Sequence, residues 1–239
     1  MAAFKKIAHR GASGNYPEST RLALEKAIAA GADMIELDCQ MTQDGHVVIF
    51  HDDKLRRTAG GRGALRDKTL AQLKKLDIGR WRGDAFAGER ILTLEEGLEI
   101  LAGNVDLCLE LKTFGAAAPG LELKVLFTLS HYDYLERTIL SSFDYHCLAR
   151  LRDLAPEAAL GVIYGAAVRD DPLLAARRLG AASIHVQKEL ASRDFLRQAW
   201  DDGIDVHVWT VNEVRQMQAF VALGIQGLIS DFPEKLCRL

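Results

Sequence analysis

Residues 34–52 read MIELDCQMTQDGHVVIFHD, and the fold turns on this stretch. Two apolar, β-prone runs, 33–42 and 46–52, flank a short polar link ending in Asp44-Gly45. Parallel neighbours need a crossover of about a dozen residues or more, so these two runs form an antiparallel hairpin. Taking Asp44-Gly45 as a two-residue turn sets Gln43 opposite His46 and, counting back along both strands, Asp38 opposite His51. Glu36 and Asp38 stand two residues apart and share a face of the first strand. Two carboxylates on one face of a buried strand are costly without a compensating charge. The hairpin therefore poses a chemical question as well as a topological one.

Working outward, seven more short apolar runs read as strands: 5–11, 106–112, 138–143, 159–164, 183–188, 205–211 and 227–232. Helical patterns lie between most of them. STRLALEKAIAAG opens on the capping residues Ser19 and Thr20 and stops at Gly31. TLEEGLEILAG opens with Thr93 and Glu96 in capping-box spacing. Later helical patterns begin near Phe143, Asp171, Ser192 and Asn212. Strand–helix alternation of this kind predicts a parallel sheet. Setting aside the hairpin's return strand leaves eight parallel strands, and eight βα units in ~250 residues is the arithmetic of a (β/α)8 TIM barrel. A doubly wound open sheet is the alternative, but no glycine-rich dinucleotide fingerprint follows the first strand. The stretch 53–90 becomes an insertion after the hairpin. With no linker rich in Pro, Gly or Ser, the reading is one domain over residues 1–239.

With 49% of 239 residues apolar, the chain has the material for a sizeable core. No stretch approaches the ~20 uninterrupted apolar residues of a membrane span. The opening MAAFKKIAHRG lacks the apolar region of a secretory signal. A cytoplasmic location without stable membrane insertion is the expectation. Cys39, Cys108, Cys147 and Cys237 are scattered without CxxC spacing and read as free thiols rather than as disulfides or a zinc site. The net charge of −3 hides an asymmetry: Lys54 to Arg90 holds 11 Lys/Arg against 4 Asp/Glu, a local balance of +7. Such a segment is either a solvated, irregular insertion or a basic rim that gathers an anionic substrate. Nucleic acid is disfavoured, because aromatics are not interleaved and no helix-turn-helix pattern surrounds it.

In a barrel of this kind the chemistry sits at the C-terminal ends of the strands. His9 and Arg10, Glu36 and Asp38, Glu110 and Lys112, and Trp209 all fall there. The hairpin register adds His51 beside the carboxylates, and a slip of one residue would send it to the other face. Three carboxylates from two adjacent strands are resolved by a hard divalent cation with oxygen ligands, Mg²⁺ or Ca²⁺ rather than zinc. The competing reading makes them salt-bridge partners of Arg10 and Lys112. Two histidines at such a cation suit general acid and base roles in displacement at phosphorus. His46, His131 and His146 have no acidic partner in sequence and read as structural. His185 and His207 read as polar fillers pointing into the barrel.

The chain resembles the glycerophosphodiester phosphodiesterase family over essentially its whole length. The resemblance is carried by IAHRGASGNYPEST, GADMIELDCQMTQDGHVVIFHDDKLRRTAGG, LKKLDIGRW with FAGERILTLEEGLEI, LCLELK, SSFD, VWTVN and GIQGLISDFPE. It implies a (β/α)8 barrel with a characteristic insertion, and metal-dependent hydrolysis of glycerophosphodiesters to sn-glycerol 3-phosphate and an alcohol, within glycerol and lipid metabolism. Similar enzymes are thought to use the substrate's own glycerol hydroxyl first, giving a cyclic phosphate that water then opens. By position, His9 and His51 match the family's acid/base pair, Glu36, Asp38 and Glu110 its metal ligands, and Arg10 its phosphate-binding arginine. Lys112 and Trp209 fall where the family lines its substrate pocket.

Two departures stand out. The family usually reads PEN where this chain has Pro17-Glu18-Ser19; Ser19 retains the ability to cap the following helix. Gln187 occupies a position after the sixth strand where relatives often carry another residue, which bears on alcohol-side specificity. The expected partner is a small-molecule glycerophosphodiester, and the expected assembly a monomer or homodimer. The alternatives are a phospholipase-type phosphodiesterase acting on lysophospholipid or phosphoinositol head groups, and a non-catalytic phosphodiester-binding barrel.

Overall fold

The computed structural model describes residues 4–114 and 120–239. All nine expected strands form: β1 (Lys5–His9), β2 (Met34–Met41), β3 (Val47–Ile49), β4 (Asp106–Leu111), β5 (Thr138–Ser142), β6 (Ala159–Tyr164), β7 (Ser183–Gln187), β8 (Asp205–Trp209) and β9 (Gly227–Ser230). Before β4 lie helices α1 (Arg21–Ala29), α2 (Arg56–Ala59), α3 (Leu70–Leu73) and α4 (Leu94–Leu101). After it come α5 (Leu121–His131), α6 (Tyr145–Leu154), α7 (Pro172–Leu179), α8 (Arg193–Asp201), α9 (Val214–Leu223) and α10 (Pro233–Leu236). Eight strands pair in parallel, and β1 bonds both β2 and β9, which closes the sheet into a barrel. The ninth, β3, has β2 as its one strand neighbour among the described residues and runs antiparallel to it, outside the barrel count.

Alternation along β2 sorts its side chains between two environments. Ile35, Leu37 and Cys39 join the apolar layer between strands and helices, which turns Glu36 and Asp38 into the barrel. The interior is filled lower down by Ile7, Met34, Cys108 and Ile229. His185 and His207 also point inward, as expected, and stack with ring centroids 4.8 Å apart at 17°. Glycines make room for them: a Cβ on Gly227 would lie 2.4 Å from His207, and one on Gly161 2.8 Å from His185. No helix of the described residues is long and apolar enough to cross a membrane.

The hairpin is real, but its turn differs from the expected one. Thr42 N–H donates to the His46 carbonyl (2.9 Å) and Gly45 N–H to that of Thr42 (3.0 Å), so the loop has three residues, Gln43, Asp44 and Gly45. Gly45 adopts a left-handed φ of 82°, the glycine conformation that three-residue hairpins require. The longer loop shifts the ladder by one: Cys39 faces Ile49 and Gln40 faces Val48. Asp38 thus lies opposite Phe50, not His51, and its carbonyl accepts from Phe50 N–H at 2.9 Å. A strand continuing in that register would turn His51 away from Asp38. The ladder ends here instead, and the Gln40 carboxamide donates to the carbonyls of Phe50 (2.7 Å) and Asp52 (2.9 Å). Held off the ladder, His51 turns into the barrel mouth.

Two further corrections are local. Thr20 alone caps α1, accepting from Ala23 N–H at 3.2 Å, whereas the buried Ser19 hydroxyl has no partner among the described residues. Ser19 has a left-handed φ of 59°, a backbone turn that carries its side chain away from the helix start. The insertion is also more than a solvated excursion. Leu55, Leu65, Leu73, Ile78 and Ile91 bury against Val48 and Phe50 of the hairpin, a small core of its own. The basic side chains lie mostly on its outside. Thr93 and Glu96 do form the capping box that starts α4.

Candidate active site

Carboxylate oxygens of Glu36, Asp38 and Glu110 lie within 4.8 Å of one another at the C-terminal end of the barrel. Parallel pairing brings them there, because Asp38 of β2 sits opposite Glu110 of β4. All three are buried. Lys112 Nζ lies 2.7 Å from Glu110 Oε1 and 3.0 Å from Asp38 Oδ1, and Arg10 Nε lies 3.1 Å from Asp38 Oδ2. The ion pairs of the competing reading are therefore present. They do not complete the balance: two cations face three carboxylates, and neither Asp38 oxygen receives a well-aligned hydrogen.

The titration behaviour follows from that imbalance. Burial, reinforced by the Asp38 charge, holds Glu36 well above the usual carboxylate range. Burial likewise raises Glu110 to about 7, against the pull of Lys112. Burial opposes ionisation of Asp38 too, but Lys112 and Arg10 outweigh it and keep Asp38 below its ordinary value. An oxygen-rich, anionic, water-poor cluster with free lone pairs on Asp38 suits a hard divalent cation.

Two histidines face this cluster, each backed by a carboxylate. His9 Nδ1 lies 2.6 Å from Asp231 Oδ1, which leaves Nε2 directed to Glu36 at 3.8 Å. Asp231 is fixed by Asn212 Nδ2 (2.6 Å) and the Ser13 hydroxyl (3.1 Å). Although burial opposes it, these donors and His9 bring its pKa down to about 2. His51 Nδ1 lies 2.7 Å from Asp52 Oδ1. Burial lowers the His51 pKa, with Lys112 and Arg10 adding to the effect against Asp38. Its ring is neutral at neutral pH and able to accept a proton.

A charged chain ties the His51 side of the mouth to the Arg10 side. Arg57 donates Nε (2.6 Å) and Nη2 (2.9 Å) to Asp52, and Nη1 (2.6 Å) and Nη2 (2.8 Å) to Glu18. Glu18 in turn accepts from Arg10 Nη1 at 2.9 Å. Arg10 itself has a left-handed φ of 54°, costing on the order of 1 kcal/mol for a residue with a Cβ. That turn points its guanidinium back across the mouth, towards Asp38 and Glu18.

His9, Arg10, Glu36, His51, Glu110 and Lys112 line the polar side of a cavity of about 140 Å³. Phe143, Ile163, Trp209 and Ile229 form its apolar side. Trp209 is anchored by an Nε1–H bond to the His185 carbonyl (2.9 Å) and meets Phe143 edge to face at 5.9 Å. Asp38 lies just beneath the lining, behind Lys112 and Arg10. The structure thus gathers all eight residues singled out from sequence into one mouth. Gln187 is not among the lining residues: its carboxamide oxygen accepts from Ala166 N–H at 3.0 Å. Sequence reasoning missed Gln40, Asp52, Arg57 and Asp231. The available signals were the acid directly after His51, the arginine five positions on from it, and the acid of the SDFPE motif.

A closed barrel with its ionisable groups converging at the strand ends has an enzyme's architecture, and the class defined here is that of the barrel phosphodiester hydrolases. The model of the glycerophosphoryl diester phosphodiesterase family matches residues 9–235. A glycerophosphodiester phosphodiesterase of Caldanaerobacter subterraneus subsp. tengcongensis is 38% identical over 235 residues, covering 98% of this chain and 96% of that protein. A phosphodiesterase of Oleispira antarctica, solved in complex with the product sn-glycerol-3-phosphate, superposes with a TM-score of 0.88. It is 31% identical, and the match covers 96% of this chain and 94% of the other. A glycerophosphodiester phosphodiesterase from Agrobacterium tumefaciens is 25% identical, with a TM-score of 0.87 over 99% of this chain and all of its own. The chain belongs to the glycerophosphoryl diester phosphodiesterase family, and with it to the phosphoric diester hydrolases.

Proposed function

We propose that the protein hydrolyses glycerophosphodiesters to sn-glycerol 3-phosphate and an alcohol, with a divalent cation, Mg²⁺ or Ca²⁺, held by Glu36, Asp38 and Glu110. The observation that carries this reading is two carboxylate-backed histidines facing one cluster of three buried acids. A module that only bound phosphodiesters would need no such pair. Family membership and the product-bound Oleispira antarctica relative support the substrate class.

Each group has a task its surroundings fit. Arg10 and Lys112, the cations of the mouth, neutralise the phosphate and the charge that grows on it in the transition state. His9 and His51 divide the proton work: one takes the proton of the attacking glycerol hydroxyl at its free ring nitrogen, and the other delivers a proton to the departing alkoxide; the roles then reverse as water opens the cyclic phosphate to sn-glycerol 3-phosphate. Asp231 and Asp52 hold the Nδ1 atoms and so keep Nε2 of each ring for this exchange. A bound divalent cation supplies Lewis-acid polarisation of the phosphoryl oxygens. Trp209 and Phe143 offer an apolar wall to the carbon skeleton of the substrate.

The test is a panel of glycerophosphocholine, -ethanolamine, -glycerol and -inositol with coupled detection of glycerol 3-phosphate. It is run after chelation and again with added Mg²⁺ or Ca²⁺. Activity is expected only with cation, and His9→Ala and His51→Ala should each lower kcat at least ~10²-fold. Full activity after thorough chelation removes the three-carboxylate site from the mechanism. Near-normal turnover in either folded histidine variant removes that residue.

A further inference from the structure

We propose that a groove beside His51 binds a second anionic group on the leaving alcohol, so that the preferred substrates are glycerophosphodiesters whose alcohol itself carries a phosphate. The proposal rests on the phosphodiesterase reading above and specifies the alcohol that reading leaves open.

The groove, about 620 Å³, opens from the active-site mouth, and His51 lines both it and the central cavity. Its floor carries two acids, Asp52 and Asp53, and both are already neutralised. Asp52 is held by Arg57 and His51, and Asp53 by Arg66 at 3.0 Å. Its wall carries Lys54 and Arg56, both exposed, and among the described residues neither has an acidic partner. Two uncompensated cations therefore flank the path out of the mouth on the His51 side. They sit in the one strongly basic segment of a chain whose net charge is −3, so they are not part of a generally cationic surface.

The chemistry of the occupant follows from those charges. With one phosphate held at Arg10 and Lys112, an alcohol departing past His51 runs into the field of Lys54 and Arg56. A quaternary or primary ammonium there meets like charge. A glycerol is neutral to it. A phosphate on the alcohol is attracted, and half-exposed Phe114 offers an apolar surface to the carbon spacer between the two phosphates.

The experiment compares sn-glycerophosphoglycerol with bis(glycerophospho)glycerol, whose leaving alcohol bears a further phosphodiester. kcat/KM is measured for each, in the full chain with its cation, at low ionic strength and in roughly 0.5 M salt. A preference on the order of tenfold for the longer substrate is expected at low salt, fading as salt rises. In the double variant Lys54→Gln/Arg56→Gln the ratio should fall to near one, with an unchanged melting temperature showing that the barrel is intact. A wild-type ratio near one overturns the proposal, as does a preference that survives the double substitution. If neither compound is hydrolysed, the proposed activity fails. Calorimetric Kd values for the two compounds still judge the groove, and equal or weaker binding of the longer one refutes it.

Discussion

Acidification should destabilise this protein through the histidine pair sealed in the barrel, and the effect can be isolated. His207 is buried, and among the described residues its Nδ1 has no hydrogen-bond partner. Burial, helped slightly by Lys5, lowers its pKa from 6.5 to about 4. His185, stacked on it, is driven well below 6.5 by burial and by His207. The folded state holds both rings neutral, whereas an unfolded chain protonates them below about 6.5. The unfolded state then binds more protons, so the contribution to stability is complete above 6.5 and lost as pH falls towards 4. At about 1.4 kcal/mol per pH unit, His207 alone accounts for roughly 2 kcal/mol between pH 7 and pH 5. Glu36 and Glu110 act in the opposite direction, because their raised pKa values let the folded state take up protons first. A total stability curve therefore mixes signs, and the measurement must be a difference. Urea unfolding of wild type and His207→Gln, followed by circular dichroism at pH 7, 6 and 5, supplies it. The gap between the two proteins should shift against wild type by roughly 2 kcal/mol over that range. A gap that stays constant with pH would refute the claim that folding keeps His207 neutral.

Three further outcomes follow from the site. Arg57→Ala should lower kcat by about ten- to a hundredfold by loosening Asp52 and Glu18, and Arg57→Lys should restore only part of it, since lysine cannot span both acids. Wild-type kinetics in the alanine variant would show that the chain from His51 to Arg10 positions nothing. Asp231→Asn should cut kcat by at least about 10²-fold and leave KM nearly unchanged, because His9 loses the partner that fixes its tautomer; an effect on KM alone would contradict that role. Binding of Mg²⁺ or Ca²⁺ should release protons at pH 6 to 7, where Glu110, raised to about 7, still holds one, and affinity should climb with pH. Titration calorimetry in buffers of differing ionisation enthalpy counts those protons, and none released would contradict the raised carboxylates.

The barrel was legible because its signals are periodic and repeated. Short β-branched runs separated by capped helices recur from Lys5 to Ser230, and the hairpin argument removed the surplus strand. The ionisable residues were legible for a related reason: Glu36, Asp38 and Glu110 violate the apolar rule of buried strands, and the violation singles them out as a cluster. The hairpin register was not legible. Asp44-Gly45 suits a two-residue turn by composition, but Thr42 recruits its own hydroxyl to bond His46 N–H (2.9 Å) and Asp44 (2.6 Å), which stabilises the three-residue loop. The inner core of the insertion was also hidden. Leu55, Leu65, Leu73 and Ile78 follow neither a period of 2 nor one of 3.6, because short turns and four-residue helices place them.

His51 reached the mouth even though the pairing expected to put it there was wrong, and the reason separates two kinds of constraint. Cross-strand register is set by the turn, and one extra loop residue moves every later side chain to the other face. The position of His51 is set instead by contacts beyond the ladder: Gln40 on the carbonyls either side of it, and Arg57 on Asp52 next to it. Each of these residues bonds a neighbour of the functional group, with Gln40 buried beneath the lining and Arg57 at its rim. Neither carries a charge misplaced in a strand, since Gln40 is an uncharged residue within β2 and an arginine in a basic loop looks ordinary. The groups that touch the reacting atoms announce themselves by being misplaced charges, while those that aim them are visible only once the chain is folded. Under the function proposed above, Glu18, Gln40, Arg57 and Asp231 position the groups that the carboxylates and histidines present. In the Pro-Glu-Ser segment after β1 it is Glu18, not Ser19, that carries the link to Arg10 and Arg57.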